Sequence, residues 1–269
     1  MTTEEFSNEF DVLINAFKHK AEIGDQGSLA DLSINEYEKS VYLTKAQDNI
    51  LKAYFSKNLN PYGESFDASS KMQIDFSTLI VCKRFNISNA KKGEGFSDRG
   101  YLFTFTDDLF ITEGKQQFPL FLLNEKVSTG ETTPEFKIYK SYVIVPINYS
   151  EYNRIMSKAY PEPLKRQAWR LFNTNEHLVN RKLEIILRTD DKYTPLYYDV
   201  RYVRKPQPII LSDLEDTTIE GISKNTQCEL DVTIHQEILQ EAVQIALASN
   251  GIETNDFKAV KEAINKKNK

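Results

Sequence analysis

The apolar residues of the first 80 positions recur at intervals of three and four, the spacing of one face of an α-helix. The first stripe predicts a helix over 3–18 and consists of Phe6, Phe10, Leu13, Ile14 and Phe17. Ser33 and Glu36 have the spacing of a capping box, which predicts a second helix from there to about residue 57. A third helix is predicted from 67 to about 83.

The period changes to two at Gly100, where aromatic and polar residues begin to alternate. Strands are predicted over 100–106, 117–123, 136–147, 183–189 and 196–204. A polar segment, 125–135, separates two of them, and its polarity leaves open whether it orders only on assembly. Two short helices are predicted within this region, over 150–158 and 165–172.

The end of the chain returns to a helical spacing. Thr233 and Gln236 form a second apparent capping box, followed by an apolar stripe that stops at Asn250. A last, lysine-rich helix is predicted over 255–266. The expected fold class is therefore α+β, with a helical N-terminal part (1–99), a β-rich middle region (100–211) and a helical C-terminal part (212–269). We expect 1–99 and 212–269 to pack as one helical body.

Composition excludes several classes of protein. The 34 Lys and Arg residues stand against 39 Asp and Glu residues, so the net charge of −5 does not suit a uniformly basic nucleic-acid binder. No apolar run approaches the 18 residues that a membrane-spanning helix needs, so no membrane partner is expected. The two cysteines, Cys82 and Cys228, form no paired motif, which favours a reducing compartment, and the N-terminus shows no secretory signal.

Charge is distributed in blocks along the chain. Residues 154–205 carry 12 basic and 6 acidic side chains, whereas 206–257 carry 1 basic and 10 acidic side chains. Such blocks are typical of solvated faces, but they also suit subunits that meet through surfaces of opposite charge.

The chain shows no motif that predicts catalysis. The glycines of 93–100 match neither of the two common phosphate-binding motifs, GxGxxG and GxxxxGK(S/T). They also precede a strand, whereas those motifs precede a helix. The three histidines have no partner at metal-ligand spacing, and His235 is expected to pack near a helix start. The carboxylate pairs Asp107–Asp108 and Glu215–Asp216 match no paired-acid signature. We therefore expect no enzyme activity, no cofactor and no metal.

Nucleic-acid contact stays open as an alternative, because the segment 154–205 combines basic residues with the aromatic Trp169. The candidate residues for subunit contact or for facing DNA are Lys165, Arg166, Arg170, Arg201, Arg204 and Lys205.

Four runs of the sequence carry a resemblance to a known family. They are 33–51 (SINEYEKSVYLTKAQDNIL), 198–211 (YDVRYVRKPQPIIL), 226–230 (TQCEL) and 235–243 (HQEILQEAV). In these runs the chain resembles the neck or ring proteins of crAss-like bacteriophages, over about 33–250. These proteins sit between the portal and the tail as head-to-tail connectors.

The resemblance implies a structural virion protein, present in the host cytoplasm during assembly, without catalytic residues. It implies a ring, of about twelve copies in this family, that contacts the portal protein and other neck or tail rings and surrounds the packaged double-stranded DNA. A terminal segment often docks such adaptors on a neighbour. The candidate docking tail contains Phe257, Lys258, Lys261, Lys266 and Lys267.

Overall fold

A computed structural model of the chain describes residues 1–23, 33–55, 66, 69–105, 111–112, 115–116, 119–131, 137–158, 161–173 and 181–250. Its contacts divide the chain into two compact units. The helical unit comprises Met1–Leu79 and Pro206–Lys269, and the sheet unit comprises Ile80–Lys205. The sequence pattern predicts divisions at 99/100 and 211/212. The units instead divide at 79/80, where a strand begins at Ile80, and at 205/206, one residue after the last strand ends at Arg204.

The helices, in chain order, are α1 (Thr3–Ile23), α2 (Glu36–Phe55), α3 (Ser70–Asp75), α4 (Tyr149–Met156) and α5 (Val232–Ser249). The strands are β1 (Ile80–Asn86), β2 (Lys91–Lys92), β3 (Gly100–Phe105), β4 (Ile111–Thr112), β5 (Lys115–Gln116), β6 (Pro119–Glu131), β7 (Lys137–Pro146), β8 (Gln167–Asn173), β9 (Arg181–Ile186) and β10 (Thr194–Arg204). The chain is of the α+β class, as its sequence pattern predicts.

The core of the helical unit is formed by α1, α2 and α5. Phe6 and Phe10 of α1 are fully buried, as are Leu43 of α2 and Ile238 of α5. Burial of large apolar side chains at helical spacing is the main favourable contribution to such packing, at about 1.5–3 kcal/mol for each one. The apolar stripes that predict these helices therefore also identify their buried faces.

The ends of two helices differ from the prediction. The cap of α2 is Asn35, whose side chain accepts from the backbone of Glu38 at 2.8 Å while Glu38 accepts in return from the backbone of Asn35 at 3.0 Å. This is a capping box two residues beyond the predicted one. The cap of α5 is Asp231, which accepts from the backbone of Thr233 at 3.0 Å. Aspartate and asparagine compete well with serine and threonine as caps, which explains both displacements.

The third predicted helix is shorter than its apolar pattern suggests. Helix α3 ends at Asp75, a 3-10 turn follows at Ser77–Leu79, and β1 then begins. Strand β1 pairs along its length with β10, from Ile80 opposite Val203 to Asn86 opposite Tyr197. The prediction of helix to residue 83 was wrong because this long-range pairing outweighs the local spacing.

The sheet unit contains one eight-stranded sheet, in the order β1-β10-β6-β7-β8-β9-β3-β2. Neighbouring strands are antiparallel except for β7 and β8, which run parallel and are joined through α4. A parallel pair requires such a crossover connection. One face of the sheet carries a core that includes Phe85, Val127 and Tyr202, and α4 covers the other face over Trp169 and Leu171.

A further expectation for this region was wrong. Residues 167–173 form strand β8 instead of a helix, since they pair with both β7 and β9. The order of the polar segment 125–135 was an open question. Residues 125–131 lie within β6, where Val127 and Thr129 are fully buried, so this part of the polar segment is an ordered strand. Residues 132–136 and the predicted helix at 255–266 lie outside the described residues.

Candidate subunit interface

The predicted basic residues do not form a single surface. Lys165 and Arg166 are exposed in the turn before β8, and Arg201 is half-buried on β10. Arg204 and Lys205 are half-buried where β10 ends. Arg170 is 6% exposed, as Trp169 is 7% exposed. The structure thus removes Trp169 and Arg170, the centre of the nucleic-acid alternative, from the surface of the sheet unit.

Lys165 and Arg166 border a cavity of about 490 Å³ within the sheet unit, which we call the basic pocket. Lys140 of β7 and Arg188, which follows β9, line the same cavity. The residues that line it are Tyr139, Lys140, Ser141, Tyr142, Lys165, Arg166, Arg188, Asp190 and Asp191. Lys140 lies near Lys165 and Arg166 because β7 pairs with β8, and no local pattern in the sequence predicts this neighbourhood.

The basic pocket already contains some internal ion pairs. Asp191 accepts from Lys140 at 2.7 Å and also from the hydroxyl of Tyr142. Burial, and then the hydrogen bond to Asp191, raise the pKa of Tyr142. Arg188 lies 3.0 Å from Asp190 and 3.4 Å from Glu162, so the two carboxylates of the lining are already paired. Lys165 and Arg166 form no ion pair with any residue that the structure describes.

The backbone of Arg166 adopts a left-handed conformation with φ of 68°. The carbonyl oxygen of Arg166 accepts from the backbone N–H of Val143, and Gln167 donates to Leu164, so the turn is tied to β7. A residue other than glycine in this conformation costs on the order of 1 kcal/mol. The hydrogen bonds of the turn to β7 hold this conformation in place.

A second cavity, of about 340 Å³, lies beside the outward side chains of β1, β6 and β10. Arg201 lines it together with Arg84 and Lys126. Arg84 binds the carboxylate of Asp199 with two nitrogens, at 2.5 and 3.1 Å. The predicted basic residues are therefore distributed between two separate places on the sheet unit.

Arg170 serves the interior of the sheet unit. Its Nε lies 3.1 Å from Glu125, and the hydroxyl of Tyr198 donates to the same carboxylate. Burial raises the pKa of Glu125, while the positive charge of Arg170 opposes that rise. Burial together with Glu125 also raises the pKa of Tyr198 well above its ordinary value. Arg170 compensates a buried carboxylate, a position that does not suit contact with a partner.

The glycine-containing segment 93–100 has a structural role. The backbone N–H groups of Phe96 and Ser97 donate to Glu184 at 2.8 and 2.7 Å, and this glutamate is fully buried. A Cβ atom added at Gly95 or Gly100 would overlap its carboxyl group. The loop binds an anion, as phosphate loops do, but the anion is a side chain of the same unit.

The acidic part of the chain, 206–230, belongs to the helical unit, where its first residues bind α2. Ser40, Thr44 and Gln47 lie at successive turns of α2, and their side chains bond the backbone of 207–211. Thr44 both accepts from the N–H of Ile209 at 3.1 Å and donates to its carbonyl oxygen at 3.3 Å. Polar residues interrupt the apolar face of α2 because Ser40, Thr44 and Gln47 bond this backbone segment.

After this segment the chain forms an exposed turn, residues 212–221, which we call the acidic loop. Its backbone is held by bonds between Leu214 and Ser223 at 2.7 Å and between Ile219 and Ile222 at 2.9 and 3.0 Å. Its exposed carboxylates are those of Asp213, Glu215, Asp216 and Glu220. Glu215 and Asp216 form no ion pair with other described residues.

The docking tail that the sequence predicts, from Phe257 to Lys267, lies outside the described residues. Within the described part of the chain, no group of three or more His, Cys, Asp or Glu side chains is arranged to hold a metal ion. None of the helices described there has the length and apolar character needed to cross a membrane.

Comparisons with known proteins give one consistent result. The model of the family described as phage tail ring protein 3/4 matches residues 1–258. Ring protein 4/5 of Bacteroides phage crAss001 is 41% identical over 253 residues, which cover 93% of this chain and 93% of that protein. Ring protein 3 of the same phage is 29% identical over 251 residues, covering 93% and 96%.

Proposed function

Because the chain belongs to the phage tail ring protein 3/4 family of crAss-like phages, we propose that it forms a ring in the neck of the virion. In this proposal the ring connects the portal to the tail and continues the channel for the packaged double-stranded DNA. Support comes from the family match, which extends over nearly the whole chain, and from the names of both relatives, which are ring proteins. The role is structural and involves no catalysis or cofactor.

The distribution of charge between the two units supports a ring of identical subunits. The sheet unit contains 21 basic and 15 acidic residues, whereas the helical unit contains 13 basic and 24 acidic residues. In a head-to-tail ring each subunit uses one surface to bind a different surface of its neighbour. Opposite net charges on the two units favour that arrangement and disfavour contact between like units.

We further propose about twelve copies in each ring, assembled in the host cytoplasm and retained in the virion. The partners are the portal on one side and other neck or tail rings on the other. The docking tail, with Phe257, Lys258, Lys261, Lys266 and Lys267, is the proposed contact with the neighbouring ring. Its lysines suit an acidic partner surface.

The exposed or half-buried basic residues Lys165, Arg166, Arg201, Arg204 and Lys205 are proposed to contact neighbouring subunits and not the DNA. Strong contacts between basic side chains and phosphates would hold the genome in place, whereas a channel must let it pass. The net negative charge of the whole chain is compatible with a weakly repelling wall.

Mass photometry and negative-stain imaging test the ring directly, with the purified protein alone and with its cognate portal at low and moderate salt. We expect a ring of about twelve copies, formed alone or on the portal. A protein that stays monomeric with portal but binds DNA with a steep dependence on salt would contradict the proposal and favour the nucleic-acid alternative.

A further inference from the structure

The basic pocket and the acidic loop are complementary surfaces in different units of the chain. The pocket has four cationic side chains in its lining against two carboxylates. The loop exposes four carboxylates, and no basic side chain occurs between residues 206 and 223. Each surface therefore has charge that its own unit does not fully compensate.

We propose that the acidic loop of one subunit binds the basic pocket of the next subunit in the ring. This inference rests on the proposed ring and names its contact. Lys165 and Arg166 would pair with Glu215 and Asp216, four exposed residues without ion pairs to other described residues. The other two cationic side chains that line the pocket, Lys140 and Arg188, already pair with Asp191 and Asp190.

Both surfaces are ordered before they meet. Glu220 and Gly221 have φ of 53° and 81°, so the loop closes through two successive left-handed residues, and the buried Ile219 anchors it. The turn of Lys165 and Arg166 is tied to β7 through the N–H of Val143. Because ordered surfaces lose little chain entropy when they associate, the ion pairs are not offset by that cost, and the same contact repeats at every subunit of the ring.

The left-handed backbone at Arg166 belongs to a fixed turn. Such a conformation persists when the surrounding structure holds it, here through the backbone hydrogen bonds of Arg166 with Val143 and of Gln167 with Leu164. Here the turn places two adjacent cationic residues at the mouth of a cavity that already contains cations. Such a cavity selects an anionic partner, and the acidic loop supplies one with a rigid backbone.

Charge reversal on each side gives the test. One variant carries Lys165→Glu with Arg166→Asp, since aspartate tolerates the left-handed backbone. The other carries Glu215→Lys with Asp216→Lys. Each variant alone places like charges at every contact, so we expect at least about a tenfold loss of rings at the concentration where the wild type assembles. An equal mixture of the two should form rings again, because each pocket then meets a loop of opposite charge.

Two controls, one for folding and one for charge reversal elsewhere, keep the test decisive. Circular dichroism and thermal melting should match the wild type, since all four residues are exposed. Reversal of two other adjacent exposed lysines, Lys91→Glu with Lys92→Glu, should leave rings intact. Loss of rings in that variant, rings in either reversed variant alone, or no recovery in the mixture would each overturn the contact.

The outcomes also separate this contact from the proposed function. If the wild type forms rings and the pocket variant forms them equally well, the ring stands and the contact is wrong. If the wild type forms no ring with or without portal, the ring itself is wrong, and with it the contact. DNA binding by the wild type that the pocket variant loses, without any change in rings, would assign the pocket to phosphates.

Discussion

The helical unit buries a row of neutral polar side chains beside its buried Lys39 and Asp75, whereas the sheet unit buries two glutamates. In the helical unit, Ser40, Thr44 and Gln47 are neutral and satisfy the backbone of a neighbouring segment. In the sheet unit, Glu125 and Glu184 are carboxylates, compensated by Arg170 and by backbone N–H groups respectively. A neutral hydrogen bond contributes about 0.5–1.5 kcal/mol, whereas an uncompensated buried charge costs several kcal/mol. Removing the group that compensates Glu125 or Glu184 should therefore cost more stability than removing one hydroxyl of the neutral row on α2.

The charged residues that each unit uses internally also show which charges stay exposed for contact between subunits. The sheet unit uses Arg170 internally and keeps Lys165 and Arg166 outside, although all three lie within six positions. The helical unit uses the first residues of 206–230 to bind α2 and exposes the carboxylates that follow. In both units, one stretch of sequence combines an internal contact with an exposed charge.

The largest expected effect comes from Arg170→Met, which leaves Glu125 buried without its cation. We expect a loss of about 3–5 kcal/mol in the free energy of unfolding of the sheet unit. Hydrogen exchange with denaturant titration would measure this loss and locate it. The double variant Arg170→Met with Glu125→Leu should recover much of the stability, and Arg166→Asn, an exposed control, should change little. Equal losses in the single and double variants would show that the charge is not the cause.

A somewhat smaller loss is expected from Gly100→Ala, about 1–3 kcal/mol, because the new methyl group overlaps the carboxyl group of Glu184. Adding Glu184→Ser should relieve the overlap, so the two substitutions should not be additive in a double-mutant cycle. Gly221→Ala offers a matched contrast, since its Cβ meets no atom within 4 Å and only its left-handed backbone is strained. A fully additive cycle would contradict the proposed role of Glu184.

In the helical unit, Thr44→Val removes a hydroxyl that both accepts from and donates to Ile209. We expect a loss of about 1–2 kcal/mol, since a buried N–H then lacks its partner. Thr44→Ser, which keeps the hydroxyl, should retain most of the stability. Chemical denaturation of both variants measures the difference, and a valine variant as stable as the serine variant would show that this bond contributes little.

The smallest effect concerns pH. Burial lowers the pKa of His235, while its hydrogen bond with the carbonyl oxygen of Leu230 opposes the shift. A histidine with a lowered folded pKa binds its proton more readily when unfolded, so its contribution to stability is present above about pH 6.5 and lost on acidification. Melting temperatures between pH 7.5 and 5.5 should fall less steeply for His235→Gln than for the wild type. An identical slope would exclude this histidine as a cause.

The local patterns of the sequence predict most helices and strands, and they fail where distant pairing decides. The apolar stripes of α1, α2 and α5 are visible because helix contacts repeat every three or four residues. Strand β8, predicted as a helix, is a strand because it pairs with β7 across the α4 crossover and with β9, and neither pairing leaves a local pattern in the sequence. Among the candidate residues, no property of the sequence distinguishes the buried Arg170 from the exposed Lys165 and Arg166.

Residue types in order along the chain are enough to predict the α+β class, the blocks of charge and the similarity to crAss-like phage ring proteins. Which charges are internal follows from the folded chain alone. It paired Arg170 with Glu125, closed the 93–100 loop on Glu184 and brought Lys140 beside Lys165 and Arg166. Burial and ion pairing depend on neighbours in space, and strand pairing brings together residues that no local pattern connects.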